Sequence, residues 1–193
     1  MELYKLALFA ILIGAVSCTS RAKYNKMIED GLNSDQQFND LFLGISLGMP
    51  DSAFRAHCFE LNQQKQLFQG NKGLSVFYRI NELKYPVNMN FYPNFFSGKI
   101  FQLPVIFDYE GWAPWNKKFY SDSLQLDVLR LFEEWYGPGF LEVRHSEKGS
   151  AFVKVDGNRQ ISIFKVGDRF VKALFTDIKV EKEIKDSEAE KAD

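Results

Sequence analysis

The sequence is poor in the residues that metal and catalytic sites need. Its 193 residues include two cysteines and two histidines, His57 and His145, which lie far apart in the chain. A structural zinc site takes four Cys or His ligands, and a Ser-His-Asp triad needs a suitably placed histidine. The net charge of −1 gives no basic footprint for nucleic acid, and no glycine-rich phosphate loop is present. We therefore predict no metal, no cofactor, no catalytic residue and no nucleic-acid partner.

The first long apolar run, from Leu6 to Val16, is too short to cross a hydrocarbon core, which takes about 20 residues. Its length is that of a signal-peptide core, about 7–15 residues, and Lys5 supplies the positive charge before it. Because the run has no polar face, it does not fit a globular helix. We expect residues 1–17 to be a cleaved signal peptide, with a spanning helix that ends at Arg21 as the alternative.

A cysteine stands directly after this run. The sequence Ala15-Val16-Ser17-Cys18 resembles the lipobox of bacterial lipoproteins, although leucine is usual where Ala15 stands. The resemblance implies that Cys18 becomes the first mature residue and carries a lipid on its sulfur, which makes the membrane a partner. Thr19 and Ser20 follow the cysteine with no aspartate directly after it, which by family analogy favours the outer membrane. The acidic run that directs some lipoproteins to the cell surface is absent, so we expect the periplasmic face. Secretion without lipid is the alternative.

Composition divides the rest of the chain into a folded region, from about 38 to 178, and two polar ends. We predict that residues 18–37 form a lipidated N-terminus and tether, which could include a short helix near Tyr24 to Leu32. Residues 179–193 are charged and nearly free of apolar side chains, which predicts a disordered tail or a frayed, solvated helix. If Cys18 carries a lipid, no intrachain disulfide can form, and the fold must be stabilised by packing.

Two amphipathic helices are indicated within the folded region. The first begins near Pro50 and places Phe54, Cys58 and Leu61 on one face. Cys58 is thereby predicted to be a small core side chain rather than a reactive thiol, and His57 to be partly exposed. The second begins with Ser121 or Ser123 as N-cap, has the inner face Leu124, Val128, Leu131, Phe132 and Trp135, and stops at Gly137-Pro138.

Runs with strand character follow each helix. They cover residues 74–80, 87–92 and 100–109, then 141–145, 151–155, 159–166 and 169–175. Asp156-Gly157 predicts a hairpin, and Pro104 suits an edge or a bulge. The order predicts an α+β fold of two tandem helix-plus-antiparallel-strand units, at about 38–110 and 119–178, with a helix layer on an antiparallel sheet.

Two short motifs carry a second resemblance. "LGISLGMPDSAF" at 43–54 and "LFEEWYGPGF" at 131–140 resemble the opening and the close of a unit found in small outer-membrane lipoproteins of the SmpA/OmlA type. Two such units in tandem would resemble the fold of β-lactamase inhibitor protein, whose concave sheet face holds a partner protein. The first unit lacks the closing Gly-Pro and the second lacks the opening Gly-Met. The resemblance implies no catalytic residue.

The chain has 19 phenylalanines, and its aromatic residues are dense between Phe91 and Tyr120. Tryptophan and tyrosine dominate binding hot spots because they bury large rigid areas at little entropic cost. We expect a binding surface formed by Tyr109, Trp112, Trp115 and Tyr120. The alternative is that the two tryptophans fold back and seal the joint between the units.

Other candidate sites have simpler interpretations. Asp108 and Glu110 lie two apart, so they project to the same side of a strand and are expected to form a solvated strand end rather than an acid–base pair. Asp156-Gly157-Asn158 resembles part of a calcium loop, but a hairpin explains it. "GISLG" mimics a nucleophile elbow without its strand–turn–helix context.

These observations predict a non-enzymatic envelope lipoprotein that binds another envelope protein, as an assembly factor or an inhibitor-like module. The alternative is a lipoprotein that binds a glycan or a lipid. A protein-binding module should present an open sheet face or an aromatic patch, a ligand carrier an enclosed pocket, and an enzyme a cluster of ionisable groups with perturbed pKa values.

Overall fold

A computed structural model of the chain describes residues 20–70, 75–145 and 149–191. Residues 20–33 are helical (α1), and the later helices are α2 (Asp51–Gln63), α3 (Ser121–Tyr136) and α4 (Ile178–Ala189). The strands are β1 (Phe68–Gln69), β2 (Val76–Ile80), β3 (Val87–Phe91), β4 (Asn94–Phe96), β5 (Lys99–Tyr109), β6 (Leu141–His145), β7 (Gly149–Asp156), β8 (Arg159–Val166) and β9 (Phe170–Asp177).

The strands form one antiparallel sheet in the order β1-β2-β3-β5-β9-β8-β7-β6, and β4 pairs with β5 in line with β3. One meander follows α2 and a second follows α3, and they meet where β5 pairs with β9. The predicted α+β class, with helices on an antiparallel sheet, is confirmed. Pro104 lies in central β5, not at an edge, but at the point where the neighbouring strand is interrupted between β3 and β4.

The core lies between one face of the sheet and α2 and α3. The ring of Phe132 on α3 is centred 6.0 Å from that of Phe107 and 5.4 Å from that of Phe175. The segment before α2 adds Phe42, whose ring lies 5.1 Å from that of Phe91. Full burial of one such side chain stabilises the fold by about 1.5–3 kcal/mol. These contacts tie both meanders to one core.

The two helices differ in detail from their predicted form. Phe54 and Leu61 of α2 are buried, as predicted, while Cys58 is half-buried against the core. Ser121 is the first residue of α3 rather than its cap, because its hydroxyl donates to the carbonyl oxygen of Gly167 at 2.7 Å. Trp135 remains 37% exposed, although its ring stacks on Phe132.

Of the alternatives predicted for the two polar ends, the structure has the helical one in each, and it docks both helices on the fold. Helix α1 contacts α4 and the β7–β8 hairpin: the Lys179 ammonium donates to the carbonyl oxygen of Ser34 at 2.5 Å, and Gly31 is buried against Gly157 and Ile178. Residues 178–189 are therefore helical and docked rather than disordered. Each helix has too few apolar residues to form alone, and its partner lies 145 residues away in the chain.

The predicted signal peptide, residues 1–17, and Cys18 lie outside the described residues. Among the helices that are described, none combines the length and the apolar character that a bilayer crossing requires.

Candidate functional site: the open face of the sheet

The face of the sheet turned away from α2 and α3 carries a continuous row of side chains. Because directly paired residues of antiparallel strands project to the same side, the strand register defines this row without ambiguity. We call this surface the open face. Its row crosses eight strands, from β6 to β1, through Val143, Ala151, Phe164, Lys172, Ile106, Asn90, Phe77 and Phe68.

Apolar side chains dominate this row and the row beside it. Phe164, Ile106 and Phe77 are half-buried, and Phe68 is 48% exposed. In the adjoining row Pro104 pairs with Leu174, and both are half-buried. These residues do not belong to the core formed with α2 and α3. The sheet is therefore apolar on both faces, whereas a one-sided antiparallel sheet alternates apolar and polar residues.

One cation lies at the middle of the open face. Lys172 pairs with Phe164 on one side and with Ile106 on the other. Its ammonium takes part in none of the salt bridges found in the described part of the chain. A half-buried lysine paired with two apolar side chains suits a partner that presents a carboxylate within an apolar surface.

The aromatic segment borders the open face at one end. The guanidinium of Arg169 lies 4.8 Å from the ring centroid of Phe170 and 5.3 Å from that of Trp112. Trp112 in turn lies against Tyr120, with 6.4 Å between the ring centroids, and the Tyr120 hydroxyl donates to the carbonyl oxygen of Pro114 at 2.6 Å. Trp112 and Tyr120 thus form a packed rim.

The predicted binding residues do not act as one surface. Trp115 is 86% exposed, whereas Tyr109 is 1% exposed and belongs to the core. The Tyr109 hydroxyl donates to Oδ2 of Asp127 at 2.5 Å. Burial and this hydrogen bond raise the pKa of Tyr109 above its ordinary value. Of the four predicted residues, Trp112, Trp115 and Tyr120 therefore remain at the surface and Tyr109 does not.

Asp108 and Glu110 have separate partners. Asp108 is 5% exposed, so the predicted solvated strand end is wrong for this residue. It accepts a hydrogen bond from Nη2 of Arg169 at 2.7 Å, and exposed Glu110 accepts one from Arg79 at 2.7 Å. Each carboxylate is held by its own arginine, so the two do not form an acid–base pair.

The Asp156-Gly157-Asn158 turn joins elements distant in sequence. Asn158 is fully buried; its amide donates to Oδ1 of Asn39 and Oδ2 of Asp177, and its oxygen accepts from the Phe38 N–H at 2.7 Å. Asp156 pairs with Lys154 and Arg159. The carboxylate and amide oxygens of this turn therefore bond to other groups of the protein, which agrees with the hairpin interpretation.

The remaining ionisable candidates from the sequence are His57, His145 and Cys58. His57 contacts the Leu43 carbonyl oxygen at 2.6 Å through Nε2 and is half-buried, as predicted for a helix residue. The side chain of His145 falls outside what the structure describes. Burial raises the pKa of Cys58 to about 11, which is typical of an unreactive thiol. The described residues include no group of three or more His, Cys, Asp or Glu able to hold a metal ion.

Two of the grooves adjoin the open face, one through Gln160 of β8 and the other through Phe68 of β1. One of about 650 Å³ runs between α1 and α4, with Tyr24, Ile28 and Lys185 in its lining. Another of about 550 Å³ lies between α2 and the β1–β2 edge. Its lining is mostly apolar and includes Phe54, Cys58, Leu67, Phe68 and Val76, with Arg55 among the polar residues.

The sequence prediction missed the open face, although its signal was present in the chain. In β8, Ile161 and Ile163 belong to one phase of the strand, and apolar Phe164 belongs to the other phase together with Ser162. Ile106 and Leu174 likewise occupy the alternate phase of β5 and β9. Apolar residues in both phases of one antiparallel strand are the signal that would have indicated a second interaction surface.

The fold and the open face define an α+β protein whose antiparallel sheet carries α2 and α3 on one face and, on the other, α1 over the β7–β8 end. Comparison with known proteins finds no matching family model, no significant match among curated proteins and none among solved structures.

Proposed function

We propose that this chain is a lipid-anchored protein of the bacterial outer membrane, on the periplasmic face, that binds another envelope protein without catalysis. The observation that carries the binding proposal is the open face: an uninterrupted, largely apolar row across eight strands. Apolar surface outside the core marks interaction sites in soluble domains, and this row runs from half-buried Ile106 to Phe68, which is 48% exposed. The partner we expect presents apolar side chains around a carboxylate that meets Lys172.

We further propose that the two meanders are duplicated units, as the SmpA/OmlA-type resemblance implies. Support comes from their order, since α2 precedes β1, β2, β3 and β5 and α3 precedes β6, β7, β8 and β9. In this arrangement the open face is a composite of both units, joined where Ile106 of β5 pairs with Lys172 of β9. The proposed binding surface would then require both units.

The lipid anchor is proposed from the lipobox resemblance at Cys18. Helix α1 is present from residue 20 and packs on α4, which would hold the domain close to the bilayer rather than on a long tether. The test is metabolic labelling with palmitate: Cys18→Ala is expected to abolish labelling of the protein. Undiminished labelling of that variant would refute the anchor and leave the open-face proposal untouched.

The binding proposal is tested with a photo-crosslinking amino acid placed at Ile106 in intact cells. We expect a discrete crosslinked envelope protein, identified by mass spectrometry. The matched control is Leu126, an apolar residue that is 52% exposed on α3, where we expect no crosslink to the same protein. An identical set of products from the two positions would contradict the proposal.

A second pair of variants tests the open face through the affinity of the protein for its partner. In Ile106→Glu the new carboxylate lies opposite Lys172, so the fold is retained while the apolar row is broken. We expect at least a tenfold loss in affinity for the partner, equivalent to about 1.4 kcal/mol. Leu126→Glu is expected to bind as the unmodified protein does. Equal affinity in both variants would remove the open face from the binding site.

The alternative function, binding of a lipid, is favoured by the groove between α2 and β2. Its volume of about 550 Å³ and its apolar lining suit an acyl chain better than a glycan. A fluorescent fatty acid would then bind with a stoichiometry of one, and Val76→Gln would weaken it. No saturable binding would eliminate this alternative.

A further inference from the structure

The sheet has two edges, and they differ in how well they are protected. Strand β1 has only two residues, which is too short to template much pairing. Strand β6 has five residues, and in the described part of the chain it pairs with β7 alone. A free edge presents unpaired N–H and C=O groups to another strand. Proteins usually protect such an edge by keeping it short or by placing proline, a bulge or charged side chains on it.

Strand β6 has charged side chains but neither a proline nor a bulge. Its sequence Leu141-Glu142-Val143-Arg144-His145 contains no proline, its pairing with β7 shows no register shift, and its two charges have opposite sign. Val143 pairs with Ala151, and Leu141 with Val153, on the open face. Glu142 and Arg144 project to the other face, where their side chains are bonded to each other at 3.1 Å.

This pattern is complementary to itself. If two β6 strands pair antiparallel about a twofold axis at Val143, each Glu142 lies opposite the other copy's Arg144, and all five residues are paired. An axis at Glu142 or at Arg144 would instead place two like charges directly opposite, which is destabilising. The register centred on Val143 is therefore the one that both pairs all five residues and places opposite charges across from each other.

We infer that β6 is the interface of a symmetric homodimer, in which two copies of this chain join edge to edge into one continuous antiparallel sheet. The arrangement is an isologous twofold contact, the commonest form of oligomer. It extends the open-face row from Val143 of one copy into Val143 of the other. It depends neither on the lipid anchor nor on the proposed partner. Because only five residues pair, the association is expected to be weak and concentration-dependent.

Charge variants test the register. In Arg144→Glu every cross-strand pair becomes Glu–Glu, and in Glu142→Arg every pair becomes Arg–Arg, so each variant alone is expected to be monomeric by sedimentation of the full chain in mild detergent. Mixed together, the two variants restore both opposite-charge pairs. We expect the mixture to sediment as a dimer. A monomeric unmodified chain, variants that dimerise like it, or a mixture that stays monomeric would each overturn the inference.

A cysteine variant tests the geometry independently. Residues paired across an antiparallel axis have Cα atoms about 4.5–5.5 Å apart, within the range that a disulfide spans. Val143→Cys is therefore expected to form a disulfide-linked dimer under mild oxidation, far faster than the unmodified chain. Val166→Cys, at a valine that is 44% exposed and lies outside β6, is the matched control. Equal dimer yields at the two positions would contradict pairing at β6.

Discussion

The hydroxyl of Tyr109, at the end of β5, donates a hydrogen bond of 2.5 Å to Oδ2 of Asp127 in the middle of α3. Tyr109 is 1% exposed and Asp127 is 9% exposed, and Oδ1 of Asp127 accepts from Arg130. This buried contact ties the last strand of the first meander to the helix that precedes the second. A residue predicted to bind a partner therefore fixes the helix layer to the sheet.

Tyr109→Phe removes this hydrogen bond and leaves a buried carboxylate oxygen without its donor. We expect the free energy of unfolding to fall by about 1–3 kcal/mol, measured by urea denaturation. Tyr120→Phe is the matched control, because the Tyr120 hydroxyl bonds the Pro114 carbonyl at an exposed site where water can replace it. Equal losses in the two variants would contradict the structural role of Tyr109.

The raised pKa of Tyr109 also predicts that the free energy of unfolding depends on pH. Because the pKa of Tyr109 is raised in the folded protein, its stabilising contribution is complete below the unfolded value of about 10 and is lost as the pH rises above it. Tyr136, whose pKa is also raised by burial, contributes in the same direction. The free energy of unfolding should decrease above about pH 10 less steeply in Tyr109→Phe than in the unmodified protein. Parallel slopes would show that Tyr109 titrates normally.

The two tryptophans of the aromatic segment should respond differently to truncation. Trp112 packs on Arg169 and Tyr120, so Trp112→Ala is expected to lower the free energy of unfolding by about 2 kcal/mol. Trp115 is 86% exposed, and Trp115→Ala should change it by less than about 0.5 kcal/mol. Thermal melts by circular dichroism distinguish the two. A large loss from Trp115→Ala would mean that this side chain is structural.

Docking of α1 is tested at Gly31. A Cβ atom at this position would lie 2.7 Å from the Gly157 carbonyl oxygen and 2.7 Å from Cγ1 of Val155, which is closer than van der Waals contact allows. Gly31→Val should therefore detach α1 and increase hydrogen exchange in residues 20–33. Ala22→Val, at an exposed position of the same helix, should leave exchange nearly unchanged. Protection retained in Gly31→Val would contradict the close packing.

The Cys58 thiol is expected to react slowly. With a pKa of about 11, about one molecule in a thousand carries the reactive thiolate at pH 8. In a Cys18→Ala background, where Cys58 is the only thiol, the rate of labelling by a disulfide reagent should rise about tenfold per pH unit from pH 8 to pH 10. A rate that levels off near pH 8.5 would show an ordinary, accessible thiol.

Much of the fold could be predicted because its signals are local. Asp51 and the Phe54–Leu61 stripe defined α2, Gly137 ended α3, and Asp156-Gly157 defined the β7–β8 turn. Strands β1 and β4 were missed, since they have two and three residues and form only by pairing with β2 and β5. Helices α1 and α4 were indicated only as a short helix and as an alternative to disorder, and their docking was missed because the apolar face of each is completed by the other.

The sequence by itself determined the order of the two amphipathic helices and the seven longer strands and the α+β class, because periodicity, turn residues and caps act over a few neighbouring positions. Only the tertiary structure decided which side chains share a surface. Whether Ile106, Phe164 or Tyr109 faces a helix or remains uncovered depends on the register between strands and on which face the helices occupy. Those choices are set by contacts between residues far apart in the chain, which no local pattern encodes.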